Sequence, residues 1–391
     1  MKFKQSHLII AIGLLGSISA QSQILNANDK GASPLMISND TDTVRLYGLI
    51  DLTLGQKNNA NAAGKTQFDM PVAFFSGNRW GIDGSHALPN SGGLKAIFKL
   101  ESEYEVPTGN MDTPGVLFNR DAWLGMQSES LGKITLGRQN TLAREFSKTY
   151  GDAYGPAAVN LEEGGYTNNN NFKQFIYYSG SATGTRYDKG IVWKKQFGNI
   201  VAGGGYQIGG VPGDTTTGTT QSAGLAYNGG ALNISGFVNT ANVNGYKNDA
   251  YSIGGNLELG VVRLNTGYVN YKAAQPVAIG NRKEDAYTVS AIYHPAGQFD
   301  YQIGWQTMNA TNAALNGSGY VINAFGNAGS ATKTGTGKRQ TTYASMFYHF
   351  DSRTELYVAV DQLKTDGGYK AAQANGFTSQ NEFAVGMRFK F

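Results

Sequence analysis

Large apolar residues alternate with polar or small ones along much of this chain, most strictly at its end. Phe383, Val385, Met387, Phe389 and Phe391 hold one parity; Ala384, Gly386, Arg388 and Lys390 hold the other. A period of two sends successive side chains to opposite faces of a β-strand, so this strand has one apolar and one polar face. An exposed row of phenylalanines needs a cover, and lipid against the wall of a membrane barrel supplies one. The pattern recurs at 44–54, where Val44, Leu46, Ile50 and Leu52 oppose Arg45, Tyr47, Asp51 and Thr53. It recurs again where Phe299, Tyr301, Ile303 and Trp305 oppose Asp300, Gln302 and Gln306, and where Leu356, Val358 and Val360 oppose Glu355 and Asp361.

The connections alternate too. Short turns such as Pro89-Asn90-Ser91-Gly92, Phe197-Gly198-Asn199 and Pro295-Ala296-Gly297 carry tight-hairpin chemistry. Between them lie polar loops near 55–75, 106–116, 139–185, 210–220, 240–248, 273–284, 310–338 and 366–380. Short turns at one end and long loops at the other predict an outer-membrane barrel, with the turns periplasmic and the loops extracellular. A plain count finds seventeen strand-like segments, including 172–179 (F-K-Q-F-I-Y-Y-S). Bacterial single-chain barrels have an even number of strands. The Phe197-Gly198-Asn199 turn joins two well-patterned strands, 185–195 and 200–207, and reads as periplasmic. Segment 172–179 therefore falls into the third loop, and sixteen antiparallel strands remain. That loop, about 139–184, exceeds the roughly 15 residues beyond which a structureless connection is usually functional. The final strand must run inward, so that Phe391 reaches the periplasmic rim beside strand 44–54.

Residues 1–20 read as a secretory signal: Lys2 and Lys4, an apolar core from Leu8 to Leu15, then small residues, with cleavage between 19 and 22. The core is too short for a spanning helix, which needs about 20 apolar residues. Residues 21–43 read as an irregular lead-in and 44–391 as the barrel. The 53 glycines, 9 prolines and 22 tyrosines plus 19 phenylalanines suit alternating strands. There is no cysteine, which excludes disulfides and thiolate chemistry. Of the formal charge of +4, Lys2 and Lys4 contribute two, leaving +2; this points away from a nucleic-acid partner. His86, His294 and His349 sit beside separate short turns without a Ser-x-Gly elbow or metal spacing, and Gly203-Gly204-Gly205 lacks the Lys-Ser/Thr of a phosphate loop. No catalytic residue, metal site or cofactor is expected. A barrel hydrolase, an adhesin and a substrate-specific channel are the competing classes.

Several motifs then carry a family likeness: Val44-Arg45-Leu46-Tyr47-Gly48-Leu49-Ile50-Asp51, Asn78-Arg79-Trp80-Gly81-Ile82, Gly93-Leu94-Lys95-Ala96-Ile97-Phe98-Lys99-Leu100-Glu101-Ser102, Asn119-Arg120-Asp121-Ala122-Trp123-Leu124-Gly125, Gly132-Lys133-Ile134-Thr135-Leu136-Gly137-Arg138-Gln139 and the terminal Phe391. The chain resembles the trimeric general porins of Gram-negative bacteria, most closely the β-proteobacterial and neisserial type. The resemblance implies a homotrimer in outer-membrane lipid, passive diffusion of ions and small hydrophilic solutes, and a third loop folded into the lumen. It implies that the strand ending in Phe391 is read by the outer-membrane assembly machinery. It also implies an arginine row of Arg79, Arg120 and Arg186, extended by Arg45 and Lys95, facing the loop acids Glu145, Asp152, Glu162 and Glu163. Arg138 belongs to the row only if a bulge intervenes, because it shares parity with Ile134 and Leu136. The alternative for the arginines is local pairing with Asp51, Asp83 or Asp188. The family's Pro-Glu-Phe-Gly loop tip is missing; Arg144-Glu145-Phe146 stands nearest to it.

Overall fold

A computed structural model of the protein describes residues 35–72, 74–147, 150, 176, 179–275, 280–315, 333–368 and 376–391. The expected signal, residues 1–20, lies outside them. Among the described residues, the short strands β1 (Met36–Ser38) and β3 (Gln67–Asp69) lie beside β2 (Asp42–Lys57). Sixteen strands form the wall: β2, β4 (Arg79–Ala87), β5 (Lys95–Glu103), β6 (Asp121–Ser128), β7 (Gly132–Asn140), β8 (Arg186–Phe197), β9 (Ile200–Gln207), β10 (Thr220–Asn228), β11 (Leu232–Val243), β12 (Tyr246–Leu259), β13 (Val262–Ala273), β14 (Arg282–Tyr293), β15 (Phe299–Leu315), β16 (Lys333–His349), β17 (Thr354–Thr365) and β18 (Ser379–Lys390). Each pairs antiparallel with the next, and β18 returns to β2, so the sheet has no free edge.

The period of two explains the wall. Along β18, Phe383, Val385 and Met387 are exposed outward while Ala384, Gly386 and Arg388 are buried inward. Leu124 and Met126, Val238, Ile253, Val289 and Ile303 continue the outward apolar band on other strands. Inward positions are mostly polar, such as Asn233, Ser235, Asn239, Ser252, Asn265, Thr288 and Gln302.

β7 pairs directly with β8, so no wall strand lies between them; segment 172–179 lies outside the described residues except for Ile176 and Ser179. Two readings need correction. The segment 21–43 is not irregular throughout, because Met36–Ser38 pairs with Thr43, Val44 and Arg45. The connection expected at 240–248 is a two-residue turn: Val243 pairs with Tyr246, and Asn244 and Gly245 both have positive φ (53° and 86°). Those angles match the right-handed twist of a hairpin, and an Asn-Gly pair reaches them at low cost. Polar composition alone had made a strand end look like a loop.

The terminal residue closes the wall. The Phe391 backbone N–H donates to the Gly48 carbonyl (3.1 Å), and the Gly48 N–H donates to the Phe391 carbonyl (3.0 Å). A Cβ on Gly48 would overlap the Phe391 ring, so only glycine leaves the ring its place there. The ring lies at the end of the chain and can swing, so Gly48→Val should slow closure rather than abolish it. Refolding followed by heat-modifiable migration on gels checks this: a smaller folded fraction at early times is expected, and unchanged kinetics would refute it.

Candidate pore constriction

β5 sends Ile97, Lys99 and Glu101 inward by strand parity, and the register sets Glu101 beside Asp121 of β6 and Gly81 of β4. Glu101 is the hub of the resulting cluster. It accepts from the Tyr47 hydroxyl (2.6 Å), from Lys99 Nζ (2.9 Å) and from Arg120 Nε. Lys99 also reaches Asp121 (3.1 Å), and Arg120 Nη1 pairs with Glu103. Arg79 stands opposite Glu103 in register, is buried, and lies within electrostatic reach of Glu101. Arg186 is buried, donates from Nε to the Arg120 carbonyl (3.0 Å) and lies within electrostatic reach of Asp121. One row toward the periplasm, Arg45 makes two bonds to Asp83 (2.6 and 3.2 Å) and lies over the Tyr47 ring (4.8 Å). Paired carboxylates satisfy these donors where bulk water is partly displaced, which an unpaired buried cation would pay for heavily.

The structure thus gathers Arg79, Arg120 and Arg186, with Arg45 adjoining. Two other expected members sit elsewhere. Lys95 shares the inward parity of Lys99 but is exposed at the periplasmic end of β5. Arg138 lies at a register shift between Gly137 and Gln139, is half exposed, and bonds to Asp188 and the Asn119 carbonyl (2.6 Å). The carboxylates seen against the arginines belong to the wall, namely Asp83, Glu101 and Glu103, with Asp121 beside Arg186. Lys99, Glu101, Glu103, Asp121 and Tyr47 were missing from the sequence-based set. The signal was present, since Lys95, Lys99 and Glu101 share one parity of one matched motif.

The third loop enters the barrel immediately after β7. The Thr141 hydroxyl accepts from the Arg144 N–H (3.2 Å) and caps the short helix α1 (Leu142–Phe146). The Tyr187 hydroxyl accepts from the Leu142 N–H (3.1 Å). Phe146 is fully buried on Gly203 and Gly224, a directly paired couple on β9 and β10. Gly203 of the glycine run thus has a packing role: with Gly224 it clears a ring-sized seat on the inner wall, while Gly205 makes room for the Tyr187 ring. The Ser235 hydroxyl donates to the Phe146 carbonyl. Tyr150 rests on Gly254 and hydrogen-bonds Ser252 (2.5 Å); burial pushes its phenol pKa up, so it stays neutral. Inward Val201, Ala226, Phe237, Ala250 and Val269 complete an apolar bed under the loop, which also takes in Ile176. Glu145, expected across from the arginines, is instead buried against Lys194 of β8. Asp152, Glu162 and Glu163 lie outside the described residues.

The model of a family described as Gram-negative porin matches residues 9–368. An outer membrane porin protein of Bordetella pertussis is 24% identical over 383 residues, covering 89% of this chain and 94% of that protein. Among solved structures, the anion-selective porin from Comamonas acidovorans aligns with a TM-score of 0.64 at 19% identity, over 90% of this chain and all of that one. The trimer form of OmpT, an outer membrane protein of Vibrio cholerae, aligns with a TM-score of 0.60 at 15% identity, over 90% and 100% of the two chains.

Proposed function

The chain belongs to the Gram-negative porin family, and on that premise we propose that its constriction lies between the charged wall of β2–β6 and the loop seated on β8–β11. The protein is an outer-membrane channel of a Gram-negative bacterium. Ions and small hydrophilic solutes diffuse through its lumen. The observation that carries the constriction is the Glu101 hub, which holds Lys99 and Arg120 on the lumenal wall. Fixed charges in a narrow gap act on a passing solute more strongly than the same charges in open water. Paired rows on one wall create local dipoles, which orient polar solutes and penalise apolar ones.

The chain works as a homotrimer in outer-membrane lipid, a reading supported by the solved trimer form of OmpT. The signal at 1–20 is removed on export, and the assembly machinery reads the strand ending in Phe391. Stepwise conductance in planar bilayers and a heat-dissociable trimer on gels test this reading. A chain that inserts and stays electrically silent would overturn it. The charge-reversed double variant Arg79→Glu/Arg120→Glu should move the zero-current potential in a salt gradient toward cations; no movement would remove both residues from the constriction.

A further inference from the structure

The first loop also enters the barrel. After β3 the chain turns inward, and Phe74 and Phe75 are buried at 2% and 0% exposure inside the lumen. They pack on inward-facing side chains of β16 and β17, in the sector of the wall that adjoins β2 through β18. Phe75 meets Tyr357 edge-on (4.6 Å between ring centres) and Phe347 (5.1 Å), and Phe74 stacks on Tyr357 (6.2 Å). Two buried aromatic rings are a large apolar payload for one loop.

A polar latch holds the segment from below. Asp51 of β2 accepts the backbone N–H groups of Phe75 (3.1 Å) and Ser76 (2.8 Å) and the Tyr357 hydroxyl. Arg388 of β18 donates to the Ser76 hydroxyl (2.8 Å) and is ion-paired to Glu355 of β17. Glu355 is in turn 3.1 Å from His349 Nδ1. At its far end the segment reaches the charged wall: a Cβ on Gly77 would overlap the Glu103 carboxylate and crowd Arg120. The segment therefore bridges the aromatic cluster of β16–β18 and the charged cluster of β4–β6. Backbone N–H groups bonded to a buried carboxylate are costly to release, which makes this a fixed insert rather than a passing excursion.

We propose that residues 74–78 form a second constriction element, which narrows the lumen from the β16–β18 side and braces the Arg120–Glu103 pair. Asp51 and Arg388 are its positioning residues. The proposal rests on the channel reading above and adds to it a second determinant of pore cross-section. The third loop seats Phe146 and Tyr150 on β9–β12 and the first loop covers the β16–β18 sector, so two loops narrow the lumen that the charged strands line.

Single-channel conductance tests it. Phe74→Ala/Phe75→Ala should raise conductance by about a quarter to a half, since side-chain bulk sets the bore where loops fill a barrel. Conductance equal to that of the unaltered protein would overturn the proposal while leaving the channel reading intact; a silent unaltered protein would instead overturn the channel reading. Asp51→Asn keeps the shape but removes the charge. Its current should flicker to a larger level, and a steady current at the original level would remove Asp51 from the latch. If the alanine variant does not assemble, a third chain decides. The protein has no cysteine, so Ser76→Cys places a unique thiol. A charged thiosulfonate attached before refolding should lower the conductance, and a labelled chain with normal current would place the segment outside the conduction path.

Discussion

Replacing Glu101 by glutamine should shift the channel toward anions and weaken the fold. The substitution keeps the shape and removes the one charge shared by Lys99 and Arg120, with Arg79 close by. A unit charge about 7 Å from a passing ion in water is worth about 0.6 kcal/mol, of opposite sign for cations and anions. The two effects multiply to about a sevenfold change in the permeability ratio, and screening at a Debye length of about 10 Å reduces this to about threefold. Breaking one side of a buried pair costs about 3–5 kcal/mol. Here Lys99 keeps Asp121 and Arg120 keeps Glu103, which puts the loss at the lower end. The zero-current potential in a salt gradient reads the first effect, and the dissociation temperature of the assembled protein on gels reads the second. An unchanged potential would show that the hub lies off the ion path.

Gly224→Leu should release the third loop and enlarge the pore. Gly224 and Gly203 are paired across β10 and β9, and the Phe146 ring fills the space that their missing side chains leave. A leucine there competes for that space with a fully buried ring, whose burial is worth about 1.5–3 kcal/mol. The wall cannot yield, because both strands are hydrogen-bonded on either side, so the ring must leave. Larger or fluctuating conductance is the expected result. Phe146→Ala should reproduce it by emptying the seat from the other side. The combined variant should then add little, since both changes remove the same contact. Conductance unchanged in Gly224→Leu, or fully additive effects in the double variant, would mean that the seat does not hold the loop in the pore.

Much of the architecture was legible in the sequence because it rests on local rules. Strand parity depends only on the next two residues, so the alternation at Phe383–Phe391 and 44–54 identified which side chains face lipid. The even strand count and the inward run of the last strand followed from barrel closure, and that count set 172–179 apart from the wall. Composition misled where it stood in for geometry: 240–248 is polar like a loop, yet nearly all of it is strand around Asn244-Gly245.

The sequence by itself determined the faces of the strands, their order and the closing contact of the chain end. The tertiary structure decided which charges meet. Arg120 reaches Glu101 and Glu103, and Arg45 reaches Asp83, because barrel register brings strands together across tens of residues; no local spacing encodes that register. It also decided what fills the lumen. Glu145 turned to Lys194 because α1 is seated by Phe146 on a glycine pair, and Phe74-Phe75 turned inward because Tyr357 and Phe347 wait on strands far away in the chain, with Asp51 of β2 beside them. Side-chain alternation is set within a few residues, whereas pairing and loop seating are settled only when distant strands share one closed wall.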